Sequence, residues 1–252
     1  MSGPQQSAPG VRLSKRVADL RACSRREAEQ YIEGGWVRVD GMVVEEPQFR
    51  AQDHQRIEID PDASLQNATP VTLLWHKPAG RRHDLAPQAP LPGELDAAHQ
   101  FAADSSGLRL LKRHLLKQAA FMAIEDGASG LVVFTQDWRV ARKLSEDAGT
   151  MEQEFVLEVA GELPAETLQR LQRMQEAGGR PLPHFKVSLN STGAGTSRLR
   201  LAVKGSHPGL AAWLCERVDL QMRGLRRIRI ARVALGQLPP GQWRFLLPHE
   251  RF

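Results

Sequence analysis

Between Ser24 and Gly41 the chain reads SRREAEQYIEGGWVRVDG, a stretch with three signals that leave its backbone few choices. Ser24 and Glu27 have capping-box spacing, in which each side chain satisfies an orphan amide at the start of a helix. Gly34-Gly35 stops that helix, because glycine takes the left-handed conformation that ends one. Asp40-Gly41 then falls between alternating apolar residues and forms a two-residue hairpin signal. A helix, a sharp stop and a hairpin are therefore specified within a very short span.

The flanks complete a small unit. Leu13, Val17 and Leu20 recur at helical spacing, with Arg12, Lys15 and Arg16 facing elsewhere. RIEID, ending at Asp60, supplies a further strand before Pro61. Residues 1–10 are polar with Gly and Pro and read as a disordered tail. Residues 61–70, PDASLQNATP, read as a linker.

From residue 71 to 252 strands and helices alternate without strict βαβ repetition. VTLLWHKPAG is a buried strand that stops at Lys77-Pro78, and residues 85–100 form a Pro-rich insertion. LVVFTQD, EFVLEVAGEL, HFKVSLN, SRLRLAVKG and GLRRIRIARVAL read as strands. WRVARKLSED, with Val140 and Leu144 inward, LPAETLQRLQRM, with Pro164 near its start, and PGLAAWLCERV read as helices. The expected class is α+β, a small module followed by a larger domain with a largely antiparallel sheet.

Composition narrows the function classes. The formal net charge is +5 and the isoelectric point about 9.6, with positive charge gathered in stretches such as SRREAEQ, LKRH and RGLRRIRIAR. That clustering favours a polyanionic partner, above all nucleic acid. Cys23 and Cys215 lie far apart with no metal-ligand spacing, which fits a reducing cytosol and argues against a zinc site or a disulfide framework. His76, His83, His99 and His114 also lack such spacing, so no metal is expected. The usual glycine-rich nucleotide loops do not occur. No apolar run approaches the length that spans a bilayer, so the expectation is a cytoplasmic protein, monomeric by default. Trp75, Trp138, Trp213 and Trp243 read as core or interface packing.

The residues 11–60, containing VRLSKRVADLRACSRREAEQYIEGGWVRVDGMVV, resemble the S4 RNA-binding module. Together with HKPAG, the acidic turn before GLVVFTQD, EQEFVLEV and the ending GLRRIRIARVALGQLPPGQWRFL, the whole chain resembles the RsuA-type ribosomal-RNA pseudouridine synthases, most closely their large-subunit RluF-like branch. The resemblance implies enzymes that flip a uridine out of folded rRNA and reattach its base through carbon, with no cofactor, using one aspartate.

The chain departs from that family at the reacting position. The family aspartate follows Gly-Arg-Leu and stands five residues before the glycine of the apolar strand. Counting back from Gly130 places Glu125 there, preceded by Met122, Ala123 and Ile124. Asp126 reaches the position only by a one-residue slip in the turn. The base-stacking tyrosine falls on Phe155, which keeps a ring face and lacks the hydroxyl. The family's basic segment falls on GSHPGLAAWL, where Pro208, Gly209, Ala211 and Ala212 replace side chains that read and pair.

The candidate catalytic residues are thus Glu125, Asp126 and Phe155. The candidate RNA-binding residues are Arg12, Lys15, Arg16, Arg25 and Arg26 in the first module and Lys77, Arg227 and Arg229 in the second. Ile228 and Ile230 are expected to face the core, which turns Arg227 and Arg229 outward to an RNA surface or a solvated sheet face. The leading reading is a protein that binds structured rRNA, with isomerisation weak or lost. An active synthase using Glu125 or Asp126, and a ribosome-associated assembly factor, are the alternatives.

Overall fold

The Ser24 hydroxyl accepts from the Glu27 amide at 3.3 Å, and the Glu27 carboxylate accepts from the Ser24 amide at 2.7 Å. That pair starts helix α2 (Arg25–Glu33), which follows strand β1 (Val11–Arg12) and helix α1 (Leu13–Arg21). Gly35, with φ +68°, ends it. Asp40 and Gly41 both take positive φ between β2 (Val37–Val39) and β3 (Met42–Val43), the conformation of a tight twisted hairpin. Strand β4 (Arg50–Ala51) pairs with β1, and β5 (Ile57–Ile59) pairs with β2.

The computed structural model describes residues 10–65, 69–82, 91–177 and 179–252. The expected tail through residue 9, residues 66–68 of the expected linker, His83 and the beginning of the expected insertion at 85–90 lie outside the described residues. The chain divides into two compact units. The first ends at Pro70 and also takes in Arg109–Leu116; the second comprises Val71–Leu108 and Lys117–Phe252.

In the first unit Leu13, Val17, Ala28, Ile32, Val37, Val39 and Ala51 form the core. Leu20, expected inward with Leu13 and Val17, is 61% exposed instead. It stands in the last turn of α1, just before Ala22 takes the left-handed conformation and ends the helix. Arg109 joins this unit through hydrogen bonds to the Gly34 and Gly35 carbonyls, and its guanidinium lies over the Trp36 ring.

The second unit is built on a nine-stranded, largely antiparallel sheet, so the α+β expectation holds. Its strands are β6 (Thr72–Lys77), β7 (Ala119–Phe121), β8 (Ser129–Thr135), β9 (Glu152–Ala160), β12 (Phe185–Gly193), β13 (Thr196–Lys204), β14 (Met222–Ile230), β15 (Val233–Ala234) and β16 (Trp243–Phe245). The order is β12-β13-β9-β14-β8-β6-β16, with β7 on β8 and β15 on β14. A separate short hairpin joins β10 (Glu176–Ala177) and β11 (Arg180–Pro181). Helices α3 (Trp138–Glu146), α4 (Ala165–Arg173) and α5 (Leu210–Arg217) follow β8, β9 and β13.

β14 and β8 run parallel, pairing Arg226 with Ser129 and Arg227 with Gly130. The run GLRRIRIARVAL, expected as one strand, is broken at Ala231, whose φ of +47° turns the chain so that β15 folds back on β14. Trp75 and Trp243 are fully buried, as expected of core residues, whereas Trp138 is 63% exposed at the first turn of α3. Its position beside the Asp137 cap leaves its ring to pack on Arg139 rather than on the core. Leu144 is buried and Val140 packs against the core, as expected.

Candidate functional site

Strand β6 is buried along its whole length and ends where Pro78 removes a donor. Its last side chain, Lys77, is fully buried and runs to the acidic turn. The Lys77 ammonium donates to the carbonyls of Pro78 at 3.2 Å, Glu125 at 3.2 Å, Asp126 at 2.9 Å and Ala128 at 2.7 Å. The turn also closes on itself, since the Ala128 amide donates to the Glu125 carbonyl and the Gly80 amide to that of Asp126. Burial lowers the Lys77 pKa, opposed by the negative charges of Asp126 and Glu125. Lys77 therefore shapes the turn, and its burial removes it from the expected RNA surface.

A second buried cation holds the segment that leads into the turn. Arg227 is fully buried, and its guanidinium donates to the carbonyls of Leu131, Met122 and Ala123 and to Gln153 Oε1. Burial pushes its pKa down to about 9, against the pull of Glu125. The expectation that Arg227 faces outward is corrected by a register shift between Arg227 and Arg229, where β14 has one more residue than β9. Such a bulge resets the alternation, so Arg227 and Ile230 are both inward. Gly130 is required at this crossing: its φ is +118°, and a Cβ there would lie 2.3 Å from the Arg227 carbonyl oxygen.

The two carboxylates of the turn point to different partners. Glu125 Oε1 accepts from the Gly209 amide at 2.8 Å, at the N-cap of α5. Among the described residues Glu125 has no ion pair. Asp126 is exposed and pairs with Arg82 at 2.8 Å. Phe155, partly buried on β9, stands opposite Arg227 on one side and Leu201 on the other. Directly paired residues share a sheet face, so Phe155 and Arg227 lie on the same face with Gln153, two residues along.

Gln153 is a site residue that sequence reasoning missed, and Gly209 was read only as a place where a reading side chain is absent, not as a partner of Glu125. Gln153 was within reach of such reasoning, because alternation along β9 puts it on the Phe155 face. Nothing local points from Glu125 to Gly209.

The remaining RNA-surface candidates divide by exposure. Arg12, Lys15, Arg25 and Arg26 are exposed in the first unit. Arg25 also pairs with Glu29 at 3.1 Å. Arg16 is half-buried, with its guanidinium on the Gln52 and Gln55 carbonyls. Arg229 is engaged by Glu152 at 2.5 Å and Glu154 at 2.8 Å. These two carboxylates occupy the charge that was expected to face RNA. Among the described residues no cluster of three or more His, Cys, Asp or Glu is gathered to hold a metal ion. No helix among them is long and apolar enough to cross a membrane.

Comparison with known proteins matches these features at the level of sequence and fold. The S4 domain model matches residues 11–57. The chain is 26% identical over 242 residues to ribosomal large subunit pseudouridine synthase B of Bacillus subtilis, covering 95% of this chain and 93% of the relative. It is 27% identical over 251 residues to ribosomal small subunit pseudouridine synthase A of Pseudomonas aeruginosa, covering 95% and 98%. A crystal structure of a pseudouridylate synthase superposes with a TM-score of 0.53 over 94% of this chain and 96% of that one, at 15% identity. The chain thus carries an S4 domain, shares the fold of a pseudouridylate synthase, and is similar over nearly its whole length to ribosomal pseudouridine synthases.

Proposed function

We propose that this protein binds structured ribosomal RNA and isomerises uridine weakly or not at all. The names of both relatives place their action on a ribosomal subunit, which supports rRNA as the partner. The exposed Arg12, Lys15, Arg25 and Arg26 of the first unit supply the phosphate contacts that hold RNA without reading its sequence.

The observation that carries the loss of chemistry is the hydrogen bond from the Gly209 amide to Glu125 Oε1. The carboxylate at the family's reacting position is tied to a helix start, and Arg227 and Lys77 spend their donors on backbone carbonyls or, for Arg227, also Gln153. A nucleophile misplaced by about 1 Å loses on the order of 100-fold in rate. The extra methylene of Glu125 and its engagement with Gly209 both displace the group from an attacking position. Phe155 keeps a stacking face and supplies no hydroxyl.

The test is an assay of purified protein on rRNA transcripts and on rRNA from cells lacking the gene, with pseudouridine mapped by chemical blockage of reverse transcription. Glu125→Ala and Asp126→Ala run alongside. RNA binding retained in all three proteins with no new modified position is the expected result. A modified position that vanishes with one substitution overturns the reading and identifies the nucleophile.

A further inference from the structure

The face of the sheet opposite Phe155 carries a separate feature. On β9 the side chains of Glu152, Glu154, Val156 and Glu158 alternate away from Phe155. Their cross-strand neighbours include Arg198 and Arg200 on β13 and Arg226 on β14. Most of the charge on this face is matched: Arg198 pairs with Glu158 at 3.0 Å, Arg200 with Glu154 at 2.7 Å, and Arg229 with Glu152 and Glu154.

Arg223 and Arg226 are different. Both are exposed, and among the described residues neither has a carboxylate partner. Both line a cleft of about 470 Å³ together with Asn190, Ser191, Gly127 and Gly224, and the Arg198–Glu158 ion pair lines it as well. The cleft is within the size range of sites that take small ligands. Arg198 offsets the Glu158 carboxylate, so Arg223 and Arg226 are the surplus charge of the cleft, and two guanidiniums beside an amide and a hydroxyl suit phosphate oxygens, to which guanidinium donates in parallel pairs. Gly127 has no atom within 4 Å of where a Cβ would stand, so a chain can approach the backbone there.

We infer that this cleft is a second RNA site that takes the phosphodiester backbone of a strand flanking the one presented to the Phe155 face. The inference rests on the RNA-binding reading above and extends it to a part of the surface outside the first unit. Because Val156 and Arg226 face away from Phe155, the cleft holds backbone and not the target base.

The full-length protein is titrated with fluorescent rRNA fragments at salt concentrations from about 50 to 200 mM. Arg223→Ala/Arg226→Ala is compared with Arg223→Lys/Arg226→Lys and wild type, with thermal melting as a check on folding. The alanine protein is expected to melt like wild type and to lose about 1.4 from the slope of log affinity against log salt, the value for two phosphates of a single strand. The lysine protein is expected to keep the wild-type slope. Wild-type binding with an unchanged slope in the alanine protein, or an equal loss in the lysine protein, overturns the cleft alone. Failure of wild type to bind any fragment overturns the RNA-binding reading and the cleft together.

Discussion

The Gly209 amide donates to Glu125 Oε1 at 2.8 Å across 84 residues of sequence. This joins the acidic turn to the start of α5, where the left-handed Gly209 leaves its N–H free of the helix. A negative charge at a helix N-terminus is stabilised by about 0.3–1 kcal/mol. The contact thus gives Glu125 a structural role at the position proposed above as the reacting one.

Glu125→Asp withdraws the carboxylate by about 1.5 Å, one carbon–carbon bond. It is expected to break the Gly209 contact and lower stability by no more than about 1 kcal/mol. On the proposed reading isomerisation is expected to stay weak or absent, because Phe155 and the segment around Gly209 are unchanged. Melting curves and pseudouridine mapping on the same preparation check both halves. A modified uridine in the Asp protein would show that the methylene alone silences the site.

Arg227 supports the same region from behind. Its removal orphans the Met122, Ala123 and Leu131 carbonyls and Gln153 Oε1 in the interior, and each buried unsatisfied acceptor costs about 1–3 kcal/mol. Arg227→Met is therefore expected to lower the unfolding free energy of the second unit by at least about 3 kcal/mol. Urea unfolding followed by tryptophan fluorescence measures this, since Trp75 and Trp243 are buried in that unit. A loss under about 1 kcal/mol would mean that water or another donor replaces the guanidinium.

Glu154 makes the sheet sensitive to acid. Its hydrogen bond with Arg229, with Arg200 adding to it, lowers its pKa from 4.5 to about 2. The folded value lies below the unfolded one, so the stabilisation is fully present above pH 4.5 and disappears as the pH falls toward 2. A shift of that size corresponds to about 3 kcal/mol, and the side chain is only 12% exposed. The stability gap between wild type and Glu154→Gln is expected to be largest above pH 5 and to close on acidification. A gap that stays constant with pH would assign the difference to packing.

How much of this was legible in the sequence follows from how local each feature is. The Ser24–Glu27 box and the Asp40-Gly41 hairpin involve residues a few positions apart, and both formed as read. Glu125 was found by counting from Gly130, whose close approach to Arg227 fixes that strand's crossing. The orientation of Arg227 was not legible, because parity counted from Ile230 crosses a bulge that only pairing with β9 reveals. The roles of Lys77 and Gly209 depend on groups 48 to 84 residues away. Charge alone assigned Lys77 to the surface, since four carbonyl acceptors converging on one ammonium leave no mark in its neighbours.

Lys77 gives the last prediction. Its ammonium holds the Glu125, Asp126 and Ala128 carbonyls together, and those carbonyls in part receive the Gly80 and Ala128 amides. Lys77→Met keeps an unbranched apolar stem in the buried strand and removes the donor. The strand is expected to stay paired with β8 and β16, while the turn opens. Amide exchange at Gly80 and Ala128 should accelerate by about 10- to 100-fold, as expected for losing one or two units of tenfold stability locally, with the amides of Leu73 and Trp75 unaffected. Equal acceleration in turn and strand would show that Lys77 supports the whole sheet, and no acceleration would show that the turn is held by its own hydrogen bonds. The first pattern, with RNA affinity unchanged, separates a cation that shapes the site from one that touches its ligand.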